Sequence, residues 1–318
     1  MMPPKTRKSI LVSVAGSAGL DITLREAPSD WIGKVARDVY TQRTLLPLKS
    51  PVEMGLGGNG ASASYVLAKM GLQVQLNAPI GNDPAGSLVK DWLKKAGVQC
   101  ITPAGQSTMH AITAVDKNGQ RLGTLQHVGP SINWSLSNQN NKSQWLLVSL
   151  PGQITVEAFL PVKQLLESFN KSNRTRVLDT GIGWIKKILP QEMIDLWSHA
   201  EIISGTIEEL KYWTGCQTPQ SVIQKIMTAG PHTVALKMGE KGVAYQSRKQ
   251  PFATQLPREL PQNNVSIGAG DAFNGALIAE LIRGRSVSES VANAVSYTHL
   301  RAHETRHDLG CRLLLEKK

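Results

Sequence analysis

The sequence predicts an α/β fold in which helices cover both faces of a mostly parallel β-sheet. Short apolar segments alternate with longer helix-compatible segments along most of the chain. This alternation is typical of strand–helix–strand units, which pair their strands in parallel. Two glycine-rich turns each open a helix-compatible segment, at 57–60 and 268–271. In such folds ligands bind outside the carboxyl ends of the strands, so both turns are expected there.

The individual elements follow from local signals in chain order. Strands are predicted where a short apolar run is bounded by turn residues, at 10–14, 74–78, 145–150, 176–179, 201–204 and 233–237. Helices are predicted where longer segments follow capping residues, glycine turns or proline, at 61–70, 85–96, 156–169, 190–197, 207–213, 219–229 and 272–283. Two stretches interrupt the alternation, at about 23–51 and 105–126. Asn118 and Gly119 form a hairpin-turn signal in the second stretch, so the two stretches are predicted to form a small separate sheet.

Residues 268–271 carry the strongest chemical signal in the chain. Gly268, Ala269 and Gly270 form a compact turn, Asp271 follows, and an apolar helix-compatible run begins at once. Backbone N–H groups at a helix N-terminus attract anions such as phosphate. A carboxylate beside bound phosphate can accept the proton of an attacking hydroxyl. Taken alone, the four residues favour an ordinary helix start with an acid near the helix dipole.

A second motif lies about 200 residues upstream. Gly57, Gly58, Asn59 and Gly60 open a small-residue helix, and a segment with Gly81, Asp83 and Gly86 follows it. In this order the two motifs resemble the signatures of the PfkB (ribokinase-like) carbohydrate kinase family, and the resemblance spans roughly residues 10 to 293. It implies a three-layer ribokinase-like fold whose small sheet is a lid over the sugar. It also implies ATP-dependent phosphorylation of a hydroxyl, expected to be a primary one, on a small sugar.

The resemblance assigns roles to matching residues. Asp271 becomes the catalytic base, and Gly268, Ala269 and Gly270 form the anion hole with it. The substrate-binding residues are expected to be Asp21, Gly57, Gly58 and Asn59, the nucleotide-binding residues Lys237, Gly239 and Gly242, and the magnesium residue Glu209, acting through water. Asp179 is a weaker candidate near phosphate, and Asp83 is interpreted as structural. The resemblance leaves open a monovalent cation and a homodimer formed through the lid.

Several alternatives stay open at this stage. Thr206 replaces the Asn of the family's Asn-x-x-Glu element, and Val265 replaces an Asp before the glycine turn. These departures favour a non-catalytic sugar or nucleoside sensor, whereas the intact 268–271 turn favours catalysis. A nucleoside kinase of the same family is the nearest alternative. Asn59 also fits a plain turn residue, Glu209 an ordinary helix-start acid beside Glu208, and Lys237 a solvated strand-end lysine.

Composition narrows the class of protein. The formal net charge is +11, but the basic residues are scattered and form no aromatic–basic stripe, so nucleic-acid binding is not expected. No run of about 18 apolar residues occurs, so no membrane partner is expected. The cysteines at 100, 216 and 311 show no metal-binding or redox spacing, which favours a reducing, cytoplasmic location.

Residues 295–318 break the pattern of the chain. His299, His303 and His307 suggest a metal site, but back-translation of the segment yields a sequence resembling a transposase-type sequencing adapter that runs into poly-A. We therefore expect a kinase domain at 1–294, truncated at its C-terminus, and a non-native tail at 295–318. The source reads would test this origin, and a genomic clone encoding the same tail would contradict it.

Overall fold

The structure, a computed structural model, describes residues 10–30, 33, 50, 52–101, 104–105, 107–118, 121–129, 131–134, 142–150, 158–170, 174–181, 188–257 and 268–310, with side chains described up to 298. Its strands are β1 Leu11–Ala15, β2 Gly19–Leu24, β3 Val52–Gly57, β4 Gln73–Asn77, β5 Ile80–Gly81, β6 Val98–Ile101, β7 Ala104–Gly105, β8 Met109–Val115, β9 Arg121–His127, β10 Trp145–Ser149, β11 Thr175–Asp179, β12 Ile202–Thr206, β13 Thr233–Lys237, β14 Val243–Ser247 and β15 Gln250–Gln255. Its α-helices are α1 Asn59–Lys69, α2 Pro84–Lys95, α3 Phe159–Ser168, α4 Pro190–Ser198, α5 Ile207–Thr214, α6 Pro219–Thr228, α7 Ala269–Ile282 and α8 Val287–Gly310.

The main sheet has nine strands in the order β15-β14-β13-β12-β11-β10-β1-β4-β6. Seven strands of this sheet run parallel to one another, namely β13, β12, β11, β10, β1, β4 and β6. At one edge β14 and β15 add an antiparallel hairpin. The predicted parallel sheet is therefore confirmed. Because parallel strands end at the same edge, the residues after β1, β10, β11, β12 and β13 come together.

Helices cover both faces of this sheet and give three layers. In β10, Leu146 and Val148 pack in the core formed with α3, α4, α5 and α6. Leu147 between them packs in the opposite core, which α1, α2 and α7 share. The alternation follows from the two-residue period of a strand. Both cores are densely apolar, and Trp197 and Trp213 are among the largest fully buried side chains.

A smaller sheet of four strands lies apart from the main one, in the order β3-β2-β8-β9. The chain passes from β1 to β2 through residues 16–18 alone, so the two sheets are directly connected. Its described strands begin earlier than the predicted lid stretch at 23 and continue past its end at 51. Most of the predicted stretch between 31 and 49 lies outside the described residues. β8 and β9 form the predicted hairpin.

Several parts of the chain differ from the prediction. Strand β6 at Val98–Ile101, which pairs in parallel with β4 at the edge of the main sheet, is not among the predicted strands. The hairpin of β14 and β15 is not predicted either, because its apolar residues fall in two short segments, at 243–245 and 252–253. Helix α8 continues to Gly310, although the change of pattern near 295 suggested that it ends there. Residues 295–309 contain neither proline nor glycine, so nothing in their composition stops a helix. Among helices in the described part of the chain, none combines the length and apolar character needed to cross a bilayer.

Candidate active site

Helix α7 begins at the glycine turn. Gly268 caps it with a φ of 81°, a left-handed conformation that favours glycine. Ala269 is the first helical residue, earlier than the predicted start at 272, and Asp271 lies in the first turn. N–H groups in the first turn of a helix have no acceptor within the helix. Those of Ala269, Gly270 and Asp271 therefore present the positive end of the α7 dipole beside the Asp271 carboxylate.

Asp271 has an environment that favours its neutral form. Its side chain keeps partial solvent access but is closely surrounded by protein atoms. Burial, reinforced by the negative charge of Asp179, raises the pKa of Asp271 from 3.8 to about 7. Asp21 and Glu209 contribute in the same direction, whereas Lys237 opposes them. The structure thus brings residues from four separate elements within electrostatic range of the predicted base.

Lys237 ends β13 and is not a solvated strand-end lysine. Its Nζ donates a hydrogen bond to Asp179 Oδ1 at 2.8 Å, and its side chain is 13% exposed. A Cβ built on Gly270 would lie 3.5 Å from the same Nζ, so the ammonium group is next to the glycine turn. Burial by itself would lower the pKa of Lys237, but three neighbouring carboxylates outweigh burial and raise it. Lys237 therefore stays charged beside the glycine turn at 268–271.

Glu209 and its neighbour Glu208 have different positions. Glu209 is only 4% exposed, whereas Glu208 is exposed, so Glu209 is the acid that belongs to the site. Its Oε2 accepts hydrogen bonds from the Thr206 N–H at 2.8 Å and from the Thr180 hydroxyl at 3.2 Å. Thr206 caps α5 in a capping box with Glu209. Threonine at this position thus still holds Glu209 in place, and burial raises the pKa of Glu209.

Asp21 lies in β2 of the small sheet, directly opposite Gly55 and next to Ala111 of β8. A Cβ on Gly57 would collide with the Asp21 carboxylate, so Gly57 leaves the room that this side chain occupies. Gly58 has a φ of 88°, and a Cβ there would lie 2.6 Å from the Ser17 carbonyl oxygen. These two glycines let the chain after β3 approach both Asp21 and residues 16–18 closely.

The Asn59 side chain joins separate segments of the chain through hydrogen bonds. Its Oδ1 accepts hydrogen bonds from the Ser17 N–H, the Ser17 hydroxyl and the Gly60 N–H, at 3.0, 2.9 and 2.7 Å. Its Nδ2 donates to the Leu150 carbonyl at 2.8 Å. The amide thereby joins the loop after β1, the start of α1 and the end of β10. These contacts favour the turn interpretation over direct binding of a sugar.

The loop after Lys237 contains the two predicted nucleotide-side glycines. Gly239 begins a 3₁₀ turn with a φ of 61°, and a Cβ there would meet open space. Gly242 has a φ of 79°, and a Cβ there would collide with the Gln255 carbonyl oxygen of β15. Gly242 is thus required by packing, whereas Gly239 leaves an open surface at the same edge of the sheet as Lys237.

The charge balance of the site bears on a metal ion. Asp179, Glu209 and Asp271 contribute three carboxylates around the single ammonium of Lys237. This excess of negative charge, built from oxygen ligands, suits a divalent cation such as Mg²⁺ that keeps part of its water shell. Within the described residues, no group of three or more His, Cys, Asp or Glu is arranged to hold a metal directly.

Asp179 makes more contacts in the site than its rank as a weaker candidate suggests. It ends β11, and its Oδ2 accepts a hydrogen bond from the buried Ser149 hydroxyl of β10 at 2.9 Å while its Oδ1 binds Lys237. One available signal was that Ser149 and Asp179 both end parallel strands, which places them at the ligand edge. A further missed contact joins Ser204 of β12 to Asn274 of α7 at 2.7 Å, fixing the helix one turn after Asp271.

Comparison with known proteins supports the motifs. The chain is 25% identical over 282 residues to a ribokinase of Lactococcus lactis, covering 85% of this chain and 88% of that protein. It is 22% identical over 292 residues to Fructokinase-1 of Oryza sativa, covering 86% of each. A structure of Arabidopsis thaliana ribokinase complexed with ribose and ATP has a TM-score of 0.70 at 21% identity and covers 92% of both chains. This likeness confirms the ribokinase-like fold.

The family itself is settled by a match over most of the chain. The model of the pfkB family carbohydrate kinases matches residues 26–308, which include both glycine motifs and every site residue described above except Asp21. The resemblance inferred from the motifs is therefore confirmed. This chain belongs to the pfkB family of carbohydrate kinases, phosphotransferases that act on a sugar hydroxyl.

Proposed function

We propose that this protein transfers the γ-phosphoryl group of ATP to a hydroxyl, preferably a primary one, of a small sugar, with Asp271 as catalytic base. The observation that carries the proposal is the position of Asp271, at a helix N-terminus beside Lys237 and with a pKa raised to about 7. A general base works best when its pKa is close to the operating pH. ATP as donor is supported by the similarity to the Arabidopsis ribokinase that binds it.

The proposed step needs few groups. The Asp271 carboxylate accepts the proton of the sugar hydroxyl while the hydroxyl oxygen forms a bond to the γ-phosphorus. The bond from that phosphorus to the bridging β–γ oxygen breaks, and ADP leaves with the electron pair. Meanwhile, the N–H groups of Ala269 and Gly270 and the ammonium of Lys237 stabilise the charge on the transferring group.

Three further groups would support binding. Glu209 would hold Mg²⁺ through water, and the bound ion would supply charge neutralisation to the nucleotide phosphates. The open edge at Gly239, with the structurally required Gly242, would take the nucleotide. Asp21, in the space left by Gly57 and Gly58, would bind sugar hydroxyls. A polar site of this kind discriminates strongly against substrates that lack the matching hydroxyl.

The decisive experiment is ADP release with magnesium-ATP against a panel of sugars and nucleosides. We expect turnover on one sugar, and a loss of kcat of at least about a thousandfold in Asp271→Asn with nucleotide binding retained. Asp91→Asn is the matched control, because Asp91 makes an exposed ion pair with Lys95 on α2, away from the site. Full activity of Asp271→Asn would refute the role of this residue.

The same panel tests the alternatives. Turnover on a nucleoside but on no sugar would assign the chain to the nucleoside kinases of the family. Binding of a sugar without ADP release would support the non-catalytic sensor that the Thr206 and Val265 departures suggest. The retained capping of Glu209 by Thr206 argues against the sensor, and Val265 lies outside the described residues.

We further propose that two copies of the chain pair through the small sheet. The strand register places Met54, Ile22, Ile112 and Leu125 in one row across one face of this sheet. Met54 and Leu125 are 51% and 60% exposed at the two edges. Contiguous exposed apolar residues of this kind mark interaction surfaces. Light scattering should report a dimer that Leu125→Glu converts to a monomer, and a monomeric wild-type chain would contradict the proposal.

The cytoplasm is the location we propose for the protein. Cys100 and Cys216 are both free thiols in the structure, which suits a reducing compartment. Cell fractionation with the tagged full chain tests this, and recovery in an extracellular fraction would contradict it.

A further inference from the structure

Asp83 joins the start of helix α2 to the start of lid strand β8. Its Oδ1 accepts hydrogen bonds from the Gly86 N–H at 2.6 Å and from the Thr108 hydroxyl at 2.7 Å. Its Oδ2 accepts one from the Thr108 N–H at 2.7 Å. Thr108 is fully buried and immediately precedes Met109, the first residue of β8. One carboxylate thus caps a helix of the main domain and fixes the residue at which the lid strand begins.

Two glycines allow these backbones to approach so closely. The Gly81 N–H donates a hydrogen bond to the Thr108 hydroxyl oxygen at 3.0 Å. A Cβ on Gly81 would lie 2.6 Å from the carbonyl carbon of Ser107, and one on Gly86 would lie 2.6 Å from the same Thr108 hydroxyl oxygen. No side chain fits at either position. We call Gly81, Asp83, Gly86 and Thr108 the Asp83 cluster.

Strand β8 connects the Asp83 cluster to the part of β2 that contains Asp21. It pairs in parallel with β2, and Met109 lies beside Gly19 and Ala111 beside Asp21. A Cβ on Gly19 would collide with the Met109 carbonyl, and one on Gly129 would lie 2.9 Å from the Met109 nitrogen. The start of β8 is therefore enclosed on both sides. Since a shift of one residue would move every side chain of a strand to the other face, the anchoring of β8 also fixes its register against β2.

We propose that Asp83 is a positioning residue for sugar binding, which fixes β8, and through β8 the Asp21 side chain, relative to the main domain. The inference rests on the proposed role of Asp21 in sugar binding. The groups proposed for phosphoryl transfer lie elsewhere, on α7, β13 and α5. Loss of the Asp83 cluster should therefore weaken sugar binding more than it slows the chemical step.

The strength of the Asp83 cluster supports this role. The hydrogen bond from the Thr108 hydroxyl is the largest cause that lowers the pKa of Asp83, to about 2. The three bonds therefore favour the ionised carboxylate strongly. Asparagine at position 83 would turn one acceptor into a donor and direct it at an N–H or hydroxyl that itself donates. At least one bond to Thr108 or Gly86 would then be lost.

The test compares Asp83→Asn with Asp91→Asn on the same helix, in the full chain. We expect the KM for the sugar to rise at least about tenfold in Asp83→Asn, since a hydrogen bond to a charged group contributes about 1.5–3 kcal/mol. We expect kcat to change less than about threefold, and the ratio of ADP released to sugar phosphate formed to rise because a loosened lid admits water. Asp91→Asn should match the wild type in all three measurements.

Two variants of Thr108 test the same inference without changing Asp83. Thr108→Val removes the hydroxyl and should raise the KM, whereas Thr108→Ser keeps it and should restore the wild-type KM. If Asp83→Asn fails to fold by circular dichroism, the two Thr108 variants decide. A loss of kcat with unchanged KM in the folded variant would overturn the inference, as would equal KM values for Thr108→Val and Thr108→Ser.

Asp21→Asn, measured in parallel, separates this inference from the proposal on which it rests. If Asp21→Asn raises the sugar KM and Asp83→Asn does not, only the positioning role is wrong. If neither variant changes the KM, the proposed role of Asp21 in sugar binding is wrong, and the inference falls with it. A rise in both, with Asp91→Asn unchanged, supports both.

Discussion

Asp271→Asn is expected to make the folded protein more stable at alkaline pH while it removes activity. The pKa of Asp271 rises from 3.8 to about 7 in the folded state, so the folded protein holds this proton more tightly than the unfolded chain does. The stability gained from protonation is fully present below pH 3.8 and is lost as the pH rises through 7. Above that pH the ionised carboxylate costs up to about 4 kcal/mol, at 1.36 kcal/mol for each pKa unit.

The pKa of about 7 already includes the attraction of Lys237 for the ionised Asp271. The side chain keeps partial solvent access, which screens part of the cost of ionisation, so we expect a gain of about 2–4 kcal/mol at pH 8. At pH 4 the unfolded chain is about half protonated at this position, and the gain should fall below about 1 kcal/mol.

Urea unfolding of the wild type, Asp271→Asn and Asp91→Asn at pH 8 and pH 4 measures this difference. Asp91→Asn should show no gain at either pH, because Asp91 lies in an exposed ion pair. A gain for Asp271→Asn that is equal at the two pH values would refute the argument, since a cost of ionisation must depend on pH. A loss of stability at pH 8 would refute it as well.

Other measurements test separate parts of the structure. The kcat/KM of the wild type should fall about tenfold for each pH unit below about 7, because protonated Asp271 accepts no proton, and a profile flat down to pH 5 would contradict this. Arg176→Met should destabilise the fold by about 3–5 kcal/mol in thermal or urea unfolding, since the buried guanidinium pairs with Glu201, and adding Glu201→Leu should recover most of the loss. Gly242→Ala should lower the melting temperature clearly more than Gly239→Ala, because a Cβ at 242 meets backbone and one at 239 meets open space. Equal losses for the two glycine variants would show that the left-handed conformation alone decides.

The layered fold could be predicted because its signals are local. The strand at Thr233–Lys237 is built around a short apolar run at 234–236, and the structure confirms the predicted bounds. Helix α5 begins where a capping threonine and a glutamate three residues later indicate a start. The hairpin of β14 and β15 was missed because its apolar residues fall in two short segments, at 243–245 and 252–253, although β14 is buried on both faces. The continuation of α8 past 295 was not expected, because the change in composition there was interpreted as the end of the helix.

Site residues could be predicted only where they lie next to one another in a sequence motif. Asp271 stood out because the glycine turn precedes it directly. The ion pair of Lys237 with Asp179 joins residues 58 positions apart, and the bond from Asn59 to Leu150 joins residues 91 apart. Contacts of this range depend on which strands become neighbours in the sheet. A single sequence indicates that order only through general rules about parallel strands.

The separation of the two sheets has an evolutionary consequence. The acid proposed to recognise the sugar lies on β2 of the small sheet, whereas the groups proposed for phosphoryl transfer lie on β13 of the main sheet and on the helices α5 and α7. The two sets are encoded by different stretches of the gene and meet only in space. Substitutions in the small sheet can therefore change which sugar is accepted while the transfer chemistry is inherited intact. For directed evolution, a library confined to β2, β8 and β9 that keeps Asp21 and Thr108 would explore new acceptors while it spares the groups proposed for phosphoryl transfer.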